Sequence, residues 1–206
     1  LKRGTEKKFY DDKTGMYADD FAHTKYSQHM QTWCVLSGIA KGERAKQIMI
    51  NSGNVAAKST YAFAYMYFRA LEVAGLYNMS EKLMNSYRGL LRLNCTTVPE
   101  TPKDSRSECH AWGAIAIYEF SATVLGVRTY GTKDKSVSIK PYTEGRDHAC
   151  GTVSSIAGDV YVSWKKENGK FEITVKNDSD SPKVITMPNG KVYITTEKET
   201  TCTCNL

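Results

Sequence analysis

The chain has 206 residues, 41% hydrophobic and 11% aromatic, enough apolar material for one large domain or two small ones and too much for a disordered tail. Its formal net charge of +6 is modest, and the Lys and Arg residues are interleaved with acids and form no basic stripe, so nucleic acid is not an expected partner. The longest aromatic-rich run, 61–76, is interrupted by Arg69 and Glu72, so neither a transmembrane helix nor a membrane partner is expected.

In chain order, apolar residues first recur at helical spacing. Met30, Trp33 and Cys34 mark one helix, Tyr61, Ala64, Tyr65, Phe68 and Leu71 another, and Leu83, Tyr87, Leu90 and Leu91 a third. Gly38, Gly42, Gly75 and Asn94 act as stops. The pattern predicts short-loop helix pairs, 25–40 with 43–50 and 59–74 with 80–93, then a lone helix over 110–125. Near residue 130 the composition changes to short β-branched runs: 137–139, 160–164, 171–175, 184–187 and 192–195. Glu167-Asn168-Gly169, Asn177-Asp178-Ser179 and Pro188-Asn189-Gly190 separate four of them as turns. The expected organisation is α then β: helical hairpins over 1–128, then a small antiparallel β-sandwich over 129–206.

The chain opens Leu-Lys-Arg, with neither Met nor an apolar leader, so the true start is expected to lie upstream. The compartment stays open between periplasmic, secreted and cytoplasmic. Six cysteines stand at 34, 95, 109, 150, 202 and 204 without a matched CxxC pair, and free, half-buried thiols are expected. Cys109, His110, His148 and Cys150 match no common zinc spacing, so no metal site is expected.

Chemistry concentrates in the loop 94–112, which holds two prolines, several hydroxyls, acids, an arginine, a histidine and a tryptophan between two helices. A carboxylate, an imidazole and an indole converging there would suit a sugar, the indole stacking on a pyranose face. The plainer alternative is that Ser105 or Ser107 caps the next helix, with Glu108 near its N-terminus and Trp112 in the core.

Tyr-Ser-Gln-His at 26–29, Thr-Thr-Val-Pro-Glu at 96–100, Ser-Arg-Ser-Glu-Cys-His-Ala-Trp at 105–112 and Leu-Gly-Val at 125–127 resemble, in this order, the bacterial α-L-rhamnosidases of glycoside hydrolase family 78. Val-Ser-Ile-Lys-Pro at 137–141, Gly-Thr-Val at 151–153 and Gly-Asp-Val-Tyr-Val-Ser-Trp at 158–164 resemble their closing β-domain. The resemblance implies the C-terminal portion of a six-hairpin (α/α)6 barrel followed by a β-sandwich. It also implies an inverting hydrolase of terminal α-L-rhamnosides in which one carboxyl protonates the leaving oxygen and another activates water, with no metal or organic cofactor.

On this resemblance Glu100 takes the place of the general base and His110 that of a sugar-binding histidine. Arg106 and Glu108 would touch substrate or hold the loop as an ion pair, and Trp112 would line the sugar site or pack. The family's general acid has no counterpart in 1–206. Asp19 and Asp20 align with the loop leading into the Ser-Gln-His helix instead, so an upstream part of the same enzyme would supply the acid, and the isolated chain would be inactive. Asn94 stands where the family usually has glycine, a place asparagine tolerates because it enters the left-handed region readily. The alternative is an inactive remnant that binds carbohydrate or serves as a structural module.

Overall fold

The computed structural model describes residues 2–128 and 135–206, and the chain divides into two compact units, Leu1–Ala116 and Ile117–Leu206. This division falls ahead of the expected boundary after residue 128, because the last helical turns pack into the core of the β unit. The residues just past that boundary, 129–134, lie outside the described set.

In the first unit, α1 (Lys2–Phe9) leads into a two-stranded hairpin of β1 (Tyr10–Asp11) and β2 (Met16–Tyr17). Helices α2 (Gln28–Leu36), α3 (Gly42–Ser52), α4 (Ala64–Val73) and α5 (Glu81–Arg92) follow, and α2 packs on both α3 and α4. The four helices of the predicted pairs are present, α2 shorter at both ends and α4 and α5 starting later than expected, whereas the predicted lone helix over 110–125 is broken into a 3-10 turn at Ala111–Gly113, a short helix at Ile115–Glu119 and a π turn at Phe120–Val124. The hairpin departs from the expectation of helix alone.

Ser27 caps α2, its Oγ accepting from the Met30 N–H at 3.1 Å and donating to Asp19 at 2.8 Å. Gln31, fully buried, turns its side-chain amide on the backbone of Tyr17, accepting from N–H at 2.9 Å and donating to C=O at 2.7 Å. A buried amide in a helix thus completes the edge of β2, satisfying polar groups that would otherwise be stranded among Tyr17, Ile48 and Met49. Phe68 and Leu71 of α4 are also fully buried.

The second unit opens with α6 (Ile115–Glu119), which begins just before the division, and a π turn over Phe120–Val124. One sheet has the order β10-β7-β6-β5, all antiparallel, from β5 (His148–Ser155), β6 (Gly158–Glu167), β7 (Lys170–Lys176) and β10 (Glu199–Asn205). The other has the order β3-β4-β8-β9, from β3 (Val127–Arg128), β4 (Val137–Ile139), β8 (Lys183–Thr186) and β9 (Val192–Thr195). Here β4 and β8 run parallel, a correction to the all-antiparallel expectation: the chain leaves β4 to build the other sheet and returns to β8 by a long crossover.

One buried cluster takes side chains from both sheets, including Ile139 and Ile185 from one and Val162, Trp164, Phe171 and Ile173 from the other. Trp164 donates its indole N–H to the Val124 carbonyl at 3.0 Å, fixing the end of the π turn. At Gly126, with φ +78°, a Cβ would lie 2.2–2.3 Å from the backbone of Lys140 and Pro141, so glycine alone fits there. All six cysteines are free, and Cys95, Cys109 and Cys150 are exposed, not half-buried as expected.

Candidate active site

The loop carrying Glu100 starts from a defined helix end. Asn94, φ +54°, follows α5 in the left-handed region; its N–H donates to Leu91 C=O at 3.1 Å and the Cys95 N–H to Leu90 C=O at 3.0 Å. These two bonds make a Schellman motif, and the asparagine does the work usually left to glycine.

Beyond it the chain forms a narrow hairpin. The His110 N–H donates to Val98 C=O and the Glu100 N–H to Ser107 C=O, each at 2.8 Å, while Thr97 Oγ1 donates to Glu108 C=O at 2.7 Å. Ser105 Oγ closes the tip: it accepts from the N–H groups of Glu100 at 3.1 Å and Thr101 at 3.4 Å, and donates to Ser107 C=O at 2.7 Å. Ser105 therefore caps the loop and not a helix. The loop is ordered by its own backbone pairing, which fixes where Glu100 emerges.

Beneath the hairpin lies a tyrosine floor. Tyr87, on α5, donates its hydroxyl to Gly113 C=O at 2.8 Å, and its ring lies 4.4 Å from that of buried Tyr61. A Cβ at Gly113 would come within 2.9 Å of Pro99 O and of Val98 Cγ1, so the hairpin can sit on this turn only because residue 113 has no side chain.

The loop brings Glu100, Arg106 and His110 together. Arg106 Nε donates to Glu100 Oε2 at 3.2 Å, with the Glu100 side chain 23% exposed and that of Arg106 88%. The Arg106 hydrogen bond, with smaller contributions from its charge and that of His110, holds the Glu100 carboxyl below the usual carboxylate range. An ionised carboxylate is the state a general base requires. The ion pair expected between Arg106 and Glu108 is instead formed with Glu100, and Glu108 is exposed.

Trp112 is 80% exposed, so it is not part of the core of the helical unit. Trp33 is half exposed, its ring edge-on to Phe63 at 5.8 Å. Asp19 and Asp20 belong to the turn before α2. Asp20 accepts from both the N–H and the hydroxyl of Thr24, which keeps its carboxyl below the usual range, the opposite of what a proton donor needs. The parts that Tyr87, Tyr61, Ser105 and Gly113 play in the loop were not anticipated from their places in the sequence; the signal for Tyr87 is that a buried phenol must find an acceptor.

The helical unit thus carries an acid, a histidine and an exposed indole on one interhelical loop. Solved structures place it more narrowly. The chain matches a glycoside hydrolase family 78 rhamnosidase of Bacillus sp. GL1 at 25% identity and TM-score 0.75, over 92% of this chain and 22% of that one. It also matches the α-L-rhamnosidase of Aspergillus terreus (11% identity, TM-score 0.76, 98% and 26%) and that of Streptomyces avermitilis in complex with L-rhamnose (12%, TM-score 0.74, 99% and 23%). It is related in structure to these α-L-rhamnosidases and spans about a quarter of their length. No protein-family model and no curated protein matches the sequence.

Proposed function

We propose that the chain is the C-terminal part of an inverting α-L-rhamnosidase in which Glu100 is the general base. On this reading the helical unit is the last portion of a six-hairpin catalytic barrel, and the β unit is the closing sandwich domain. The observation that carries it is the Glu100 carboxylate, held ionised by Arg106 on a loop whose geometry is set by the His110–Val98 and Glu100–Ser107 pairings. The likeness to rhamnosidases, one of them in complex with L-rhamnose, supports a rhamnoside as the substrate class.

In this mechanism Glu100 takes a proton from the water that attacks the anomeric carbon, His110 addresses a sugar hydroxyl, and Trp112 offers its face to the ring. Arg106 keeps the base charged while substrate is absent, with Glu108 at the rim. The leaving oxygen needs a proton from a second carboxyl, which an upstream part of the enzyme would provide. Without that donor the isolated chain loses on the order of a hundred- to ten-thousand-fold in rate from acid catalysis alone.

The test is hydrolysis of an aryl α-L-rhamnoside by the whole enzyme, its Glu100→Gln variant and the isolated chain. The variant should lose turnover by at least about a hundredfold while still binding L-rhamnose. Near-normal turnover in the variant removes Glu100 as base, and an inactive whole enzyme that still binds sugar favours the non-catalytic remnant.

A further inference from the structure

His29, Trp33 and Phe63 bring their rings to one surface of the helical unit. His29 and Trp33, four apart on α2, share a face of that helix, and Phe63, at the start of α4, touches both. Its ring lies 4.2 Å from the imidazole at an interplanar angle of 44° and 5.8 Å from the indole at 72°. The indole is 49% exposed, and His29 and Phe63 are half-buried, so the rings are not closed over by the rest of the unit.

An independent sign comes from the imidazole. Neither nitrogen of His29 has a hydrogen-bond partner among the described residues, and neither is sealed from solvent, so a bound group can reach them. Burial, opposed by the charge of Asp19, holds the imidazole below its usual range. At neutral pH it is therefore uncharged, with one nitrogen to donate and one to accept. A hydroxyl, which does both, can use either nitrogen.

The turn ahead of α4 fixes where these rings stand. The Phe63 N–H donates to Thr60 C=O at 3.2 Å, and Tyr61, in the same turn, sets its Cβ 3.3 Å from where a Cβ of Gly113 would be. Gly113 follows Trp112 at the end of the loop that carries Glu100. One turn thus supports both the rings and the loop, and the rings border the proposed base.

We propose that His29, Phe63 and Trp33 form the subsite for the group joined to rhamnose, a hydroxylated ring that lies on the aromatic surface and bonds to His29. This rests on the rhamnosidase reading and adds to it what the enzyme selects on the leaving side. A second sugar, through its C–H face, and a phenol share this chemistry.

The test is the whole enzyme's kcat/KM on methyl α-L-rhamnoside, whose leaving group has no ring, on 4-hydroxyphenyl α-L-rhamnoside and on a rhamnosyl-glucose disaccharide. In Trp33→Ala the ratio of a ring-bearing substrate to the methyl glycoside should fall about tenfold, and Trp33→Tyr should largely keep it. His29→Phe keeps a ring against Phe63 but deletes both nitrogens, and should lower the same ratio about fivefold without the loss of packing that Trp33→Ala brings. A fall confined to the disaccharide identifies the ring as a sugar, and one confined to the aryl glycoside identifies it as a phenol. Ratios unchanged in Trp33→Ala or in His29→Phe, an equal loss on all three substrates included, overturn the subsite. An unsubstituted enzyme that cleaves none of the three removes the rhamnosidase reading itself, and the proposal with it.

Discussion

The Tyr87 hydroxyl and the Gly113 carbonyl, 2.8 Å apart, tie the end of the Glu100 loop to the middle of α5. The bond is buried, so its loss leaves a carbonyl without water or partner. Tyr87→Phe should cost about 1–3 kcal/mol in chemical denaturation. The N–H groups of Glu100 and His110 should also exchange faster relative to those within α5. Unchanged exchange in the loop would show that the tyrosine braces only the helix.

Arg106→Gln tests the electrostatics of Glu100. Because the guanidinium lowers the Glu100 pKa, the carboxylate survives to more acidic pH than an ordinary glutamate, and whatever the pair contributes is present at neutral pH and fades as pH falls through that lowered value. Removing Arg106 should move the carboxyl upward, read by ¹³C NMR titration of Glu100. With Glu100 as the proposed general base, the acidic limb of the whole enzyme's rate profile should move the same way. Because Arg106 is mostly exposed, added salt should mimic the substitution in part. A carboxyl pKa that stays put in the variant would rule out Arg106 as its cause.

Two glycines with positive φ separate steric need from backbone preference. Gly126→Ala must force a Cβ into the Lys140 and Pro141 backbone and should destabilise the β unit by more than about 3 kcal/mol. Gly169→Ala meets nothing within 4 Å at φ +72° and should cost only about 1–2 kcal/mol. Similar unfolding midpoints for the two variants would mean that the 126–140 contact relaxes freely.

Trp164→Phe keeps an aromatic ring in the core but deletes the N–H that satisfies Val124. With Trp164 1% exposed, the lost hydrogen bond and lost volume together should cost about 2–4 kcal/mol, measured as a drop in midpoint at unchanged denaturant slope. A shift within about 0.5 kcal/mol would mean the π turn finds another donor.

What the sequence revealed was what local chemistry determines. Asn168-Gly169 takes positive φ at both positions, as a tight hairpin demands, and β6 and β7 flank it as read. Asn94 takes its left-handed conformation as the residue that closes α5. By contrast α1 buries nothing and has no apolar stripe to betray it. β5 runs through Ala149, Cys150 and Gly151, with little apolar contrast to mark it, and Gly151 has no room for a side chain because Leu125 packs 2.9 Å from where its Cβ would be. That requirement comes from a distant segment and leaves no periodic trace. β10 alternates threonine and cysteine with one buried side chain, Cys202, too little apolar contrast to mark a strand. At the candidate site, Glu100, Arg106 and His110 were visible as a motif, while Tyr87 acts from a helix far back in the chain and Ser105 through a turn that only the folded loop defines.

The parallel pairing of β4 with β8 sets an order of assembly. Val137 meets Lys183 only after the whole β5–β6–β7 meander has been made, so on a growing chain the meander can form while β4 waits with one edge unpaired. Closure of that sheet is then the slow event of the β unit, and a pause in synthesis between residues 140 and 183 would prolong the interval in which that edge is open to a neighbouring chain.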